Sequence, residues 1–157
     1  MGDKRILIMR RAEKTGDPRN PNLSTDGQAR AERLVEYIPA TFGKPSFVFA
    51  TAISKHSARP IQTIKPLSTQ LGLSIDATFA DQDYGALAYE LLSSSRFAGV
   101  LALVCWHHGN IPSLVRGLGG ESGRYPDPWD PDVFNLILEL TYASAEVPVV
   151  RSIIEPF

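Results

Sequence analysis

The chain has 157 residues, 43% of them hydrophobic and 21% charged, which suits one domain able to bury a sizeable core. Sixteen lysines and arginines stand against 17 aspartates and glutamates, so no global field draws nucleic acid or an anionic membrane, and any attraction for anions must be local. No run approaches the roughly 18 apolar residues of a membrane span, and one cysteine excludes an internal disulfide.

The N-terminal "MGDKRILIMRR" has only four consecutive apolar residues, Ile6 to Met9, too few for a signal-peptide core. Gly2 follows Met1, but Ile6 occupies the position where a myristoylation pattern wants Ser or Thr. These readings predict a cytoplasmic setting with neither nucleic acid nor membrane as partner.

In chain order, Lys4 to Met9 reads as a buried strand that stops at Arg10 and Arg11. "TGDPRNPN" (15–22) is rich in turn formers and predicts a loop. Ser24 suits an N-cap, after which Ala29, Ala31, Leu34, Val35 and Ile38 share one helical face, with Pro39 expected to end the helix. "SFVFA" (46–50) predicts a strand, "ATAISKHSA" a loop, and Ile61, Ile64, Leu67 and Leu71 a helix closing at Gly72.

"LSID" (73–76) predicts a short strand, and Leu87 and Leu91 mark a helix over Tyr84 to Leu92. "VLALVCW" (100–106) is apolar throughout, as buried parallel strands tend to be, and Cys105 within it reads as a small core residue. "NIPSLVRGLGG" predicts a helix closed by glycines. "VFNLILELTY" alternates, with Phe134, Leu136, Leu138 and Leu140 on one side and Asn135, Glu139 and Thr141 on the other. "VPVVRSII" after "SAE" completes an antiparallel hairpin whose Pro148 marks an edge strand. "YPDPWDPD" (125–132), before that hairpin, reads equally as a lid or as a packed crossover.

This alternation predicts a single α/β domain over residues 1–157. It is a three-layer sandwich whose central sheet is mostly parallel, with helices on both faces and a C-terminal antiparallel hairpin. In open α/β sheets ligands sit beyond the carboxyl ends of the strands. Three predicted strand ends carry cations or imidazoles: Arg10–Arg11, the loop with His56 and Arg59, and His107–His108. Their convergence is the central expectation.

"LIMRRAEK", "NLSTDGQARAERL", "SARPIQTIKPLS" and "VCWHHGNIPSL" occur in the order of the signatures of the histidine phosphatase superfamily. Over residues 5 to 118 the chain resembles these phosphoglycerate-mutase-like proteins. The resemblance implies hydrolysis of phosphomonoesters through a transient phosphohistidine, with arginines and a second histidine holding the phosphoryl group. It also implies that a carboxylic acid protonates the leaving oxygen. Residue by residue, it makes Arg10 and Arg59 the phosphate-binding arginines, His108 the second pocket histidine and Asp81 the acid. His107 is then a neighbour of the site, and His56 a solvated loop residue.

Arg11 occupies the position of the nucleophilic histidine, by natural or deliberate replacement. Imidazole attacks through an unprotonated nitrogen, whereas a guanidinium stays protonated, has no free lone pair and offers donors only. Losing the nucleophile of a catalytic unit can cost about 10⁶ in turnover. The expectation is a phosphatase by descent whose phosphohistidine route is lost or severely impaired: a pocket of Arg10, Arg11, Arg59 and His108 that binds a phosphate-like oxyanion, on a phosphorylated small molecule or a phosphoprotein. Glu13 and Asp81 are the carboxylates expected to temper the arginines.

Two alternatives stay open: an active phosphatase using another nucleophile, such as a water activated by His107 or His108, and a scaffold with a vestigial pocket. No cofactor or metal is expected, because the arginines supply positive charge and the three histidines lack a carboxylate cluster at ligand spacing. Loops 15–22, 77–86 and 120–131 would set specificity. The short stretch between 72 and 100 leaves little room for a cap, which favours a small-molecule or protein-phosphohistidine phosphatase ancestor over a mutase.

Overall fold

The computed structural model describes residues 3–143 and 147–157; the Gly2 pattern and the 144–146 turn of the expected hairpin lie outside them. Six strands, β1 (Lys4–Arg10), β2 (Phe47–Ala50), β3 (Ile75–Asp76), β4 (Leu101–Trp106), β5 (Leu136–Tyr142) and β6 (Val149–Ile154), form one sheet in the order β3-β2-β4-β1-β5-β6. β3, β2, β4 and β1 run parallel, and β5 and β6 add an antiparallel pair beside β1. Pro148 immediately precedes the edge strand, where its missing N–H breaks no ladder.

Side-chain alternation splits the core into two layers. Leu7, Met9, Val48, Leu103 and Ile137 pack under α1 (Thr25–Phe42) and α2 (Arg59–Leu71), meeting Leu34, Ile38, Ile64 and Leu67. Ile6, Ile8, Phe49, Val104, Trp106 and Leu138 pack under α3 (Tyr84–Ser93) and α4 (Ile111–Gly117), meeting Leu87, Leu91, Leu114 and Val115. The three-layer α/β sandwich with its terminal hairpin is therefore as expected. No helix among the described residues is long and apolar enough to cross a membrane.

Local signals explain most boundaries. The Ser24 hydroxyl accepts the Gly27 N–H at 3.1 Å and caps α1. Gly72, at φ 70°, supplies the left-handed residue that ends α2. Two expectations need correction. Pro39 does not end α1: the helix runs on to Phe42, because Pro39 forfeits only its own N–H while burying Ile38 and Phe42 on the sheet keeps the turn. β5 begins at Leu136 rather than Val133; on its second side Ile137 is core, and Glu139 is buried between Arg5 at 3.5 Å and Arg151 at 3.0 Å.

Candidate oxyanion-binding site

β2, β4 and β1 end at one edge of the sheet, where Arg10 is level with Trp106 and Ala50 with Cys105. The pairing runs one residue further on both sides of β4: the Arg11 N–H donates to the Trp106 carbonyl at 3.1 Å, and the Thr51 N–H to the Cys105 carbonyl at 3.3 Å. Because side chains alternate, Arg10 follows Ile6 and Ile8 toward the α3/α4 layer while Arg11 follows Met9 toward α1 and α2. The α2 end is tied in by Thr63, whose hydroxyl accepts the Ala12 N–H at 2.8 Å and donates to the Arg59 carbonyl at 2.7 Å. One buried threonine thus holds the turn after β1 against the start of α2.

The three arginines are anchored in the same way. Arg10 donates through Nη1 to the carbonyls of Pro131 and Val133, and its guanidinium carbon lies 3.8 Å from the centroid of the Phe134 ring. Arg11 donates through Nη1 to the Ala12 carbonyl at 3.1 Å and lies 5.9 Å from that same ring. Arg59 donates through Nη1 to the Asn20 carbonyl at 3.0 Å. In all three the Nε is buried and unpartnered, and the Nε–Nη2 edge bonds to no described residue.

That edge is the fork with which arginine grips a carboxylate or phosphate. Arg30 shows it filled, with Nε and Nη2 on the two oxygens of Glu13 at 3.0 and 3.1 Å. Of seven buried side-chain polar atoms without a partner among the described residues, four belong to this site: the three Nε atoms and Asp81 Oδ1. Buried polar groups are rarely left unpaired, so their concentration here sets this edge apart from the rest of the described residues.

The charges feel one another. Burial, then the adjacent Arg11, holds Arg10 down to about 10, against the pull of Glu13, Asp132 and Asp130. Arg11 is lowered by burial and then by Arg59, and Arg59 by burial. His108 is lowered by burial and by Arg10, Arg11 and Lys14; Asp81 opposes them. His107 is lowered by burial, then pulled up by Asp81 and down by Arg11, Arg59 and His108. Both imidazoles are thus pushed toward their neutral form by burial and the neighbouring cations.

Arg10, Arg11, Arg59, His107, His108 and Asp81 form one electrostatically linked group at the carboxyl edge. Asp81 is fixed by its backbone, its carbonyl accepting Trp106 Nε1 at 3.1 Å and Asn110 Nδ2 at 3.3 Å. His56 is exposed in its loop. Glu13 tempers the arginines as expected, pulling Arg10 and Arg11 up, although its hydrogen bonds go to Arg30 at 3.0 and 3.1 Å. Cys105 is fully buried, and burial pushes its thiol up, as befits a core residue.

The 125–132 stretch, read from the sequence equally as a lid or a packed crossover, anchors Arg10 through a backbone carbonyl, a role the sequence did not show. The segment 125–134 crosses beside the site, with Trp129 Nε1 donating to the Val133 carbonyl at 3.0 Å. Its contribution is two backbone carbonyls and a ring, and carbonyls leave no trace in residue identity. Thr63 lay inside a quoted motif, and its spacing of four from Arg59 was the available signal.

No family profile matches the chain, and no curated protein matches it in sequence. Solved structures do match its fold. The protein histidine phosphatase SixA, in complex with tungstate, superposes with a TM-score of 0.70 at 17% identity over 96% of each chain. A mycobacterial glucosyl-3-phosphoglycerate phosphatase with inorganic phosphate superposes at 0.64 and 14% identity, over 98% of this chain and 97% of that one. The molecule has the histidine-phosphatase fold. The match runs over nearly the full length of both of these phosphatases.

Proposed function

We propose that this protein is a histidine-phosphatase-superfamily domain that binds a phosphomonoester or free phosphate-like oxyanion and no longer turns it over through a phosphohistidine. The observation that carries the reading is the set of three open guanidinium forks at one sheet edge, each pinned by Nη1 to a backbone carbonyl. Anchored guanidiniums lose little freedom on binding and present paired donors to tetrahedral oxygens, which favours oxyanion capture. The two structural relatives hold tungstate and inorganic phosphate, in keeping with it.

In the phosphatase reaction a nitrogen lone pair must displace the ester oxygen from phosphorus while a proton reaches the leaving group. At position 11 this chain supplies no such lone pair. Arg10, Arg59 and Arg11 would neutralise the oxyanion, His108 would complete its coordination, and Asp81 stands at the position that the resemblance gives to the acid. Binding without displacement is the outcome, whether the ligand is a phosphorylated small molecule or a phosphoprotein.

The test is steady-state hydrolysis of an aryl phosphate by the protein and by Arg11→His. The variant is expected to turn over at least about 10³-fold faster, because the replacement returns the missing nucleophile. Equal rates in the two proteins would favour a water activated by His107 or His108, whose downward shift suits them to base chemistry.

A further inference from the structure

Thr51 is 2% exposed, and its hydroxyl has no partner among the described residues. It follows β2, level with Trp106 in β4 and one strand beyond the level of Arg10 in β1. Alternation from Phe49 turns its side chain toward the α3/α4 layer, the side that Trp106 and Arg10 also face. Two strand spacings of about 4.8 Å separate Thr51 from Arg10, too far for both to grip one oxygen. Thr51 therefore stands at the flank of the site opposite the Phe134 wall.

Asp81 stands at that flank as well. The Ala52 N–H donates to the Phe79 carbonyl at 2.8 Å, and Trp106 Nε1 holds the Asp81 carbonyl, so the 79–81 segment lies against this row. Asp81 Oδ1 and Thr51 Oγ1 are both buried and unpartnered, and they are not bonded to each other. A carboxylate oxygen only accepts, whereas a hydroxyl donates and accepts. A group able to satisfy both would donate to Asp81 and exchange a hydrogen bond with Thr51.

We propose that Thr51 is a specificity-determining residue which, together with Asp81, receives a hydroxyl or N–H borne by the molecule that carries the phosphate. This rests on the oxyanion-binding reading above and names its ligand class: phosphomonoesters with a hydrogen-bond donor close to the ester, in preference to plain alkyl esters. One bond of this kind to a buried hydroxyl beside a carboxylate accounts for about a tenfold preference.

The experiment is calorimetric titration of glycerol 3-phosphate, propyl phosphate and inorganic phosphate into the protein, Thr51→Val and Thr51→Ser. The parent is expected to bind glycerol 3-phosphate about tenfold tighter than propyl phosphate. Thr51→Val should remove most of that preference, leave inorganic phosphate unchanged and raise the melting temperature of the ligand-free protein, since it deletes an unpartnered buried hydroxyl; Thr51→Ser should keep the preference. An unchanged ratio in Thr51→Val, no preference in the parent, or an equal loss for inorganic phosphate would overturn the role. If the parent binds inorganic phosphate but Thr51→Val alters nothing, Thr51 alone is misassigned; if the parent binds none of the three, the oxyanion reading itself fails.

Discussion

Arg11 changes what pH can do at this site. A pocket that relies on imidazolium loses its grip as pH rises through the ordinary histidine range. Here burial and the arginines push both imidazoles toward the neutral form, and the arginines, with even Arg10 at about 10, stay charged below pH 8. The ligand therefore sets the dependence. A phosphomonoester gains its second charge near pH 6, so its affinity is expected to rise several-fold between pH 5 and 7. Sulfate, doubly charged throughout, should bind equally at pH 6.5 and 8. Calorimetric titration of both checks this, and a sulfate affinity that drops steeply over that interval would show cationic histidines at work.

At the scale of elements, the site depends on how closely the turn after β1 meets α1. Gly27, in the first turn of α1, has no room for a side chain: a Cβ there would lie 2.3 Å from the Glu13 carbonyl oxygen and 3.0 Å from its nitrogen. Both are backbone atoms, which cannot swing aside. Gly27→Ala should therefore cost about 2 kcal/mol or more, read by denaturant unfolding, although alanine is the better helix former. A stability equal to the parent would mean that this turn is not packed as described.

That contact also marks what sequence could not supply. Helix caps, the apolar strands and the three charged strand ends were legible because they depend on residue type at short spacing: Ser24, Gly72, "VLALVCW", Arg10–Arg11. Pro39 misled because a local breaker signal was outweighed by burial of Ile38 and Phe42. The carbonyls of Pro131, Val133 and Asn20 that pin the arginines were invisible, since every residue owns a carbonyl and only the fold aims it. Thr51 looked like an ordinary loop start until its burial was known.

The whole molecule carries a second charged centre behind the first. Arg30 on α1 bridges Glu13, beside the site, and Glu155, just past β6, at 2.8 Å. Glu155 is 1% exposed with one oxygen unpartnered, and burial raises its carboxyl to about 7 despite Arg30. Its unfolded value is about 4.3. Between those values the native state holds a proton that the unfolded chain has lost, so stability declines as pH rises through that window, and the loss persists above it. Glu155→Gln keeps an oxygen for Arg30 and removes the buried charge. It should gain on the order of 2 kcal/mol at pH 8, several degrees in melting temperature, and almost nothing at pH 4.5. Destabilisation at pH 8 would show instead that the ion pair outweighs its burial.

All of this assumes that three guanidiniums from two separate turns of the chain face one tetrahedral anion. Titration of tungstate into the protein by calorimetry examines that directly. One saturable site per chain, weakened at least tenfold by Arg59→Lys because lysine cannot form the two-pronged contact, is the expected result. A parent protein that takes up no tungstate, or one whose uptake is untouched by Arg59→Lys, would contradict it.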